Sequence, residues 1–387
     1  MSNTVQIISS DSHNMEPPHM WQKFLDKKFL DRAPRIVKDG KGGDAWEFQK
    51  GAPPMPIGLV TNQGEWGRRY EENDWEGSTY ESIRQGAFDG KKRLEEQDID
   101  GISAEVIFPS QRTMSVFMAQ EDDNFHLAGI QAYNNWLYEE FTAPDRKRLI
   151  GLAQMPAVGA AQAVQALKEA KKGGFRGVII SGWPSGNDQI GPADDPFWKA
   201  AEEEDMPVHI HVGLSQAGRR KKGATAPGAM ALGFDAGVNA LVKMGGDVGS
   251  ASAWISRMIY SEMFDRFPGL QLVAAETGAG FIPHMLEHMD DHWWRNRVWT
   301  GSKLKMLPSE YFRRNWMVGF IREPHSVLVR HCIGVANMMW ATDYPHHRHD
   351  WPYSRRVIEE SMLNVPAEER HAMIAGNAIK LYKLDAK

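Results

Sequence analysis

Two histidines stand two apart in the run Pro207-Val208-His209-Ile210-His211-Val212. Side chains two apart on a strand share a face. His209 and His211 therefore point one way and Val208, Ile210 and Val212 the other. Asp11 and His13 repeat the spacing in Asp11-Ser12-His13. Glu276 follows Val273, Ala274 and Ala275, neighbours that make an isolated carboxylate costly unless it is paired or coordinated. Asp343 follows Met339, Trp340, Ala341 and Thr342 and precedes Tyr344-Pro345 and then His346-His347-Arg348-His349-Asp350. Each position has an ordinary structural explanation: a satisfied core histidine, a salt bridge, a turn, a solvated histidine run. Taken together they are a set of imidazole and carboxylate donors, which suits Zn, Mn or Fe. Asp11, His13, the pair His209 and His211, Glu276 and Asp343 are the candidate ligands. Asp343, His209 and His346 are the candidate acid–base groups, and His209, His346, His347 and His349 are candidates for a second ion.

Such residues need elements that carry them to one place. Apolar runs at Val5–His13, Ile102–Ser110, Leu149–Pro156, Arg176–Ser181, Pro207–Gly213, Leu270–Thr277, Trp316–Arg322 and Asn337–Asp343 read as eight strands. Amphipathic patterns over Phe125–Thr142, Ala157–Lys172 and Pro196–Asp205 read as helices between them. Eight strand–helix repeats predict a (β/α)8 TIM-like barrel, whose chemistry sits at the C-terminal ends of the strands. The rival open, doubly wound sheet usually has a glycine-rich loop after its first strand. Here that strand runs into Asp11-Ser12-His13-Asn14 instead.

Residues 1–387 read as one barrel domain, with 31–82 as an inserted cap or lid carrying Trp46, Trp66, Tyr70, Trp75 and Tyr80. The stretch Leu214–Ala229, with Arg219, Arg220, Lys221 and Lys222, follows the fifth strand and reads as a solvated loop or as a lid. Arg112 and Arg322, each at the end of a strand, are candidate cations for a substrate oxygen, and Trp183 is a candidate wall of an aromatic pocket.

Composition removes several classes. Forty-five basic against fifty acidic residues give a net charge of −5, which lacks the positive excess of a nucleic-acid binder. A single cysteine, Cys332, excludes an intrachain disulfide and a cysteine-based zinc cluster. The N-terminus has neither a basic start nor an apolar core, and no segment approaches the ~20 apolar residues of a membrane span, so a cytoplasmic protein is expected. Trp293, Trp294 and Trp299 cluster, from which a homo- or hetero-oligomer is expected.

The ordered motifs carry a resemblance. Asp11-Ser12-His13 with Glu16-Pro17, Pro207 to Gly213, Glu276 to Pro283, Trp340 to His346 and Gly376 to Tyr382 resemble the amidohydrolase superfamily. The likeness is to the branch that includes aminocarboxymuconate-semialdehyde and resorcylate decarboxylases. It implies a metal-bearing barrel in which His211 is the fifth-strand ligand and Asp343 the eighth-strand ligand or base. Many members carry His-x-His on the first strand and His at the end of the sixth, where this chain has Asp11 and Glu276. A set so rich in carboxylates is compatible with a five- or six-coordinate Mn or Fe ion, or with two ions.

Three functions stay open. The first is hydrolysis or non-oxidative decarboxylation of a small, aromatic or carboxylate substrate through a metal-bound water. The second is oxygenation at a dinuclear Mn/Fe centre in a heteromeric barrel complex. The third is a non-catalytic binding or scaffold subunit.

Overall fold

The computed structural model describes residues 5–58, 74–212 and 248–384. Eight parallel barrel strands lie in chain order: β1 (Ile8–His13), β2 (Ala104–Phe108), β3 (Leu149–Gly151 and Ala153–Gln154, interrupted at Leu152), β4 (Val178–Ile180), β5 (Val208–His211), β6 (Leu272–Ala275), β7 (Trp316–Phe320) and β8 (Met338–Trp340). Each pairs with the next. At β3 the gap is bridged by Leu152 N–H donating to Ile107 O (3.0 Å). The circle closes beyond the end of β8, where Asp343 N–H donates to Asp11 O (2.9 Å) and His13 N–H to Tyr344 O (2.6 Å). The expected strands are all present, each a few residues shorter than its apolar run.

Helices Asp123–Trp136, Ala160–Gly173, Asp195–Glu203 and Ile282–Thr300 follow β2, β3, β4 and β6. The first of them continues as a π-type turn, Leu137–Phe141. The apolar stripes of the last three pack on the outward strand residues, Val208 and Ile210 among them, in one large core, while Asp123–Trp136 buries Phe125, Ala132, Tyr133 and Trp136 in a second one. Between β1 and β2 the chain adds a three-stranded antiparallel sheet, Arg35–Lys38, Asp44–Glu47 and Met55–Pro56. This part of the 31–82 insertion is anchored rather than loose. Trp46, Phe48, Met55 and Ile57 share a second core with Trp21, Phe117 and Tyr133. Trp46 Nε1 also donates to Tyr80 Oη (2.9 Å), which donates to Glu16 O (2.7 Å). Trp66, Tyr70 and the basic stretch at 219–222 lie outside the described residues. Among the described residues no helix is long and apolar enough to cross a membrane.

Candidate metal centre

Strand ends deliver the candidate ligands. His13 and His211 are the last residues of β1 and β5; Glu276 directly follows β6, and Asp343 lies three residues beyond β8. The register of β1 against β2 shifts between Ser9 and Ser12. That irregularity, of the kind that re-aims side chains at active sites, falls at Ser10 and Asp11. Glu276 (φ 56°) and Asp343 (φ 60°) adopt the left-handed backbone region, which is uncommon for residues other than glycine and tends to collect at functional sites.

The side chains converge. His13 Nε2 lies 3.4 Å from Asp11 Oδ1 and 3.3 Å from Asp343 Oδ1. His211 Nε2 lies 3.5 Å from Asp11 Oδ2 and 3.3 Å from Glu276 Oε2. His346 Nδ1 lies 2.8 Å from Asp343 Oδ1, and its ring stacks on that of His13 at 3.9 Å between centroids. One donor atom each from His13, Glu276, Asp343 and His346 falls within 4.8 Å of the others, and the same holds for Asp11, His13 and His211. Phe108 forms an apolar wall 6.0 Å from the His13 ring and 5.5 Å from the His211 ring.

These groups suit a divalent ion. Both carboxylate oxygens of Asp11 and both ring nitrogens of His13 are buried without a hydrogen-bond partner. Buried polar groups left in that state are costly, and a coordinated cation is one standard way of satisfying them. The donors are nitrogen and oxygen only, a set that fits Mn, Fe or Zn.

Electrostatics divides the acids. Burial pushes Asp11 up to about 7, opposed by His13 and aided by the negative charge of Asp343. Burial pushes His13 down to about 4, with neighbouring His346 adding to the effect. Burial would also raise Asp343, but His346 and His13 beside it outweigh burial and hold its carboxyl well below the usual range. Of the two aspartates, Asp343 is therefore the one held in its ionised form.

Other expected residues are placed elsewhere. His209 does point inward, but it lies one layer below the cluster. Its Nδ1 bonds Val178 O (2.9 Å) and its Nε2 bonds Tyr382 Oη (2.7 Å), with the Tyr382 ring stacked on it. Gly177 makes room for it, since a Cβ there would stand 2.7 Å from His209 Cε1. Both nitrogens are thus committed, and the structure does not bring His209 to the ligands. His349 is buried, accepts from Trp351 N–H (2.8 Å) and packs edge-on against Tyr344; burial pushes it down to about 3. His347 lines a hollow of about 260 Å³ at the rim with Arg322, Glu323, Arg348 and Asp350. Arg322 Nη1 reaches Asp350 Oδ1 at 3.5 Å, an ordinary rim ion pair. Trp183 is buried in the main core. Arg112 lies in the helix Gln111–Met118 that follows β2, and its side chain is outside the described set.

Three further groups, two of them beside the cluster, carried no role in the sequence. Arg348 Nη1 donates to Glu276 Oε1 (2.9 Å), so a half-exposed guanidinium sits beside a ligand. Its place in the histidine-rich run after Asp343 was its only signal. Arg93 is buried and donates to Glu105 Oε2 (2.6 Å), Gly86 O (2.8 Å), His13 O (2.7 Å) and Tyr344 O (3.1 Å). It ties the ends of β1 and β8 to the helix Gly90–Asp100. Glu16 is buried, and burial pushes it up to about 7 against hydrogen bonds from its own backbone and from Thr113.

Comparisons with known proteins accord with this geometry. Residues 85–384 match the family model described as amidohydrolase. A gamma-resorcylate decarboxylase from Rhodococcus jostii (strain RHA1) is 26% identical over 281 residues, covering 65% of this chain and 75% of the relative. An amidohydrolase structure from Mycobacterium avium subsp. paratuberculosis K-10 superposes with a TM-score of 0.72 at 17% identity, over 98% of this chain and 100% of the other. The dihydroxybenzoic acid decarboxylase of Polaromonas sp. JS666 superposes with a TM-score of 0.64 at 16% identity, over 99% of this chain and 98% of the other. That structure was solved with bound manganese and the inhibitor 2-nitroresorcinol. At such identities the superpositions establish the shared fold.

Proposed function

This chain belongs to the amidohydrolase family, and from that premise we propose that it is a divalent-metal-dependent carboxy-lyase removing carbon dioxide, without oxidation, from a hydroxylated aromatic carboxylate. The observation that carries the proposal is the cluster of Asp11, His13, His211, Glu276 and Asp343, gathered from four strand ends, in which both carboxylate oxygens of Asp11 and both ring nitrogens of His13 are buried without a hydrogen-bond partner. Those five residues would hold the ion, which when bound supplies a Lewis acid for the oxygens of an anionic substrate.

The remaining work falls to the chain's own groups. His346 is partly exposed and 2.8 Å from Asp343, so it can relay a proton between solvent and that carboxylate. From the pair the proton passes to the ring carbon that bears the carboxylate. The electron pair of the carbon–carbon bond returns to the ring, carbon dioxide leaves, and the product carries hydrogen in its place. Phe108 excludes water beside the ligands, and the rim guanidinium of Arg348 offers a charge-assisted contact to the incoming acid. The decarboxylase relatives favour this reaction over hydrolysis at the same centre.

The test uses the full-length protein with verified manganese content and a panel of ortho-hydroxybenzoates, 2,6-dihydroxybenzoate among them. Carbon dioxide release equal to phenol formed, lost in Asp343→Asn, is the expected result. No carbon dioxide from any member of the panel in the metal-loaded protein would overturn the proposal.

A further inference from the structure

We propose that the outward face of the helix Ile282–Thr300 carries a second, exposed site for a divalent transition-metal ion, chelated by a neighbouring pair of imidazoles drawn from His284, His288 and His292. Residues four apart on a helix stand one above the other. These three follow that spacing twice, and all are exposed. Their rings are neighbours, with centroids 5.9 Å apart for His284 and His288 and 4.1 Å apart for His288 and His292. Among the described residues their ring nitrogens take part in no hydrogen bond or ion pair; besides the helix's own backbone bonds, Asn296 Nδ2 donates to the backbone carbonyl of His292.

The scaffold is rigid. Ile282, Met285, Leu286 and Met289 are buried on the opposite face, and Tyr260 Oη donates to Met289 O (3.0 Å). The spacing of the imidazoles is therefore set by the fold, and chelation has only side-chain rotamers left to fix.

One helical turn rises ~5.4 Å, so three stacked histidines cannot all reach one ion, and the chelate is a pair. His288 belongs to both pairs, and the shorter ring separation favours His288 with His292. Two of the acids on this helix, Asp290 and Asp291, are engaged elsewhere, and exposed Glu287 stands next to His288 in the chain. Asp291 pairs with Arg295 (2.8 Å), and Asp290 accepts from Ser309 N–H (2.8 Å). An imidazole-only pair selects Cu2+, Ni2+ or Zn2+ over Mg2+ and Ca2+. The site shares no residue with the carboxylate-rich barrel cluster, so the two can be separated by mutation.

The experiment is a Ni2+ titration by calorimetry on the full-length protein. It is run on the wild type and on His211→Asn, in which the barrel centre is impaired, with Cu2+ electron paramagnetic resonance as a second readout. Both proteins are expected to bind about one Ni2+ per chain on the helix, with histidine nitrogen coupling in the copper spectrum. Both helix variants are made on the His211→Asn background, so that ion held in the barrel is not counted; there His288→Asn should weaken the helix binding about tenfold or more, since it removes a direct ligand. The double variant His284→Asn/His292→Asn leaves His288 alone and should do the same. It also keeps the proposal falsifiable if His288→Asn does not fold. Binding that survives in either folded variant, or is absent from the wild type and His211→Asn, overturns the assignment.

Discussion

Replacing Arg93 by Met is the most searching perturbation of the architecture around the centre. The Arg93–Glu105 pair is 2.6 Å long, with side chains 1% and 3% exposed. Removing one partner of a buried pair leaves the other charge uncompensated and costs about 3–5 kcal/mol. The backbone carbonyls of Gly86, His13 and Tyr344 lose a donor in the same step. Met keeps most of the side-chain volume, so the loss reports charge and hydrogen bonding rather than a cavity.

The expected result is a fall of about 3–5 kcal/mol in unfolding free energy by urea denaturation. Metal affinity should fall with it, because two of the lost bonds fix the backbone at His13 and beside Asp343. Glu105→Gln should cost a similar amount: the amide keeps one acceptor oxygen, which can serve either Ser12 Oγ, now donating to Oε1 (3.1 Å), or Gln97 Nε2, now donating to Oε2 (2.7 Å), but not both. In Arg93→Met/Glu105→Gln both charges are gone. The combined stability loss should be smaller than the sum of the single losses by about 0.5–3 kcal/mol, while metal affinity stays low. A loss under about 1 kcal/mol for Arg93→Met would refute the strapping role, since that is the range of an exposed pair. An Arg93→Met protein that is destabilised yet binds metal as tightly as the wild type would refute the link to the centre.

Further outcomes follow from the same geometry. His211→Asn should lower metal affinity by about tenfold or more, read as ion retained per chain after dialysis against a buffered metal solution. Arg348→Ala should raise KM for a carboxylate substrate by about tenfold, from loss of a charge-assisted contact, with a smaller change in kcat. Glu16 supplies a pH test. Its folded pKa of about 7 lies above the ordinary 4.5, so the folded state holds its proton over that interval while the unfolded state has released it. Its contribution is complete below about 4.5, declines as pH rises towards about 7 and is flat beyond, a change of order 3 kcal/mol. Glu16→Gln should therefore gain stability relative to wild type between pH 5 and pH 8 in urea melts; a constant difference would refute the burial argument.

Much of the centre was legible because strand periodicity is local. Two-residue spacing placed Asp11 with His13, and the apolar runs before Glu276 and Asp343 marked the other strand ends. Periodicity gives direction but not depth. It could not distinguish His211, at the mouth, from His209, one layer down. The difference is set by Tyr382, which arrives 173 residues later in the chain to bond His209. Arg93 escaped notice for the same reason, since its partners lie on β2 and at the ends of β1 and β8. The 31–82 insertion looked irregular because its strands are only two to four residues long, too short for an alternation to register. Its order comes from Trp46 and Met55 packing with helices distant in sequence.

The bonds between Asp343 and Asp11 and between His13 and Tyr344 have a consequence for biosynthesis. The first strand emerges early, with an acid and an imidazole whose companions are still unmade, and the final carboxylate arrives some three hundred residues later. At translation speeds of about 5–20 residues per second, the nascent chain spends tens of seconds with an incomplete coordination set. If these residues hold the ion as proposed, its capture at full strength belongs to the last stage of maturation. Metal supply at that moment, more than during earlier synthesis, should govern the yield of active protein.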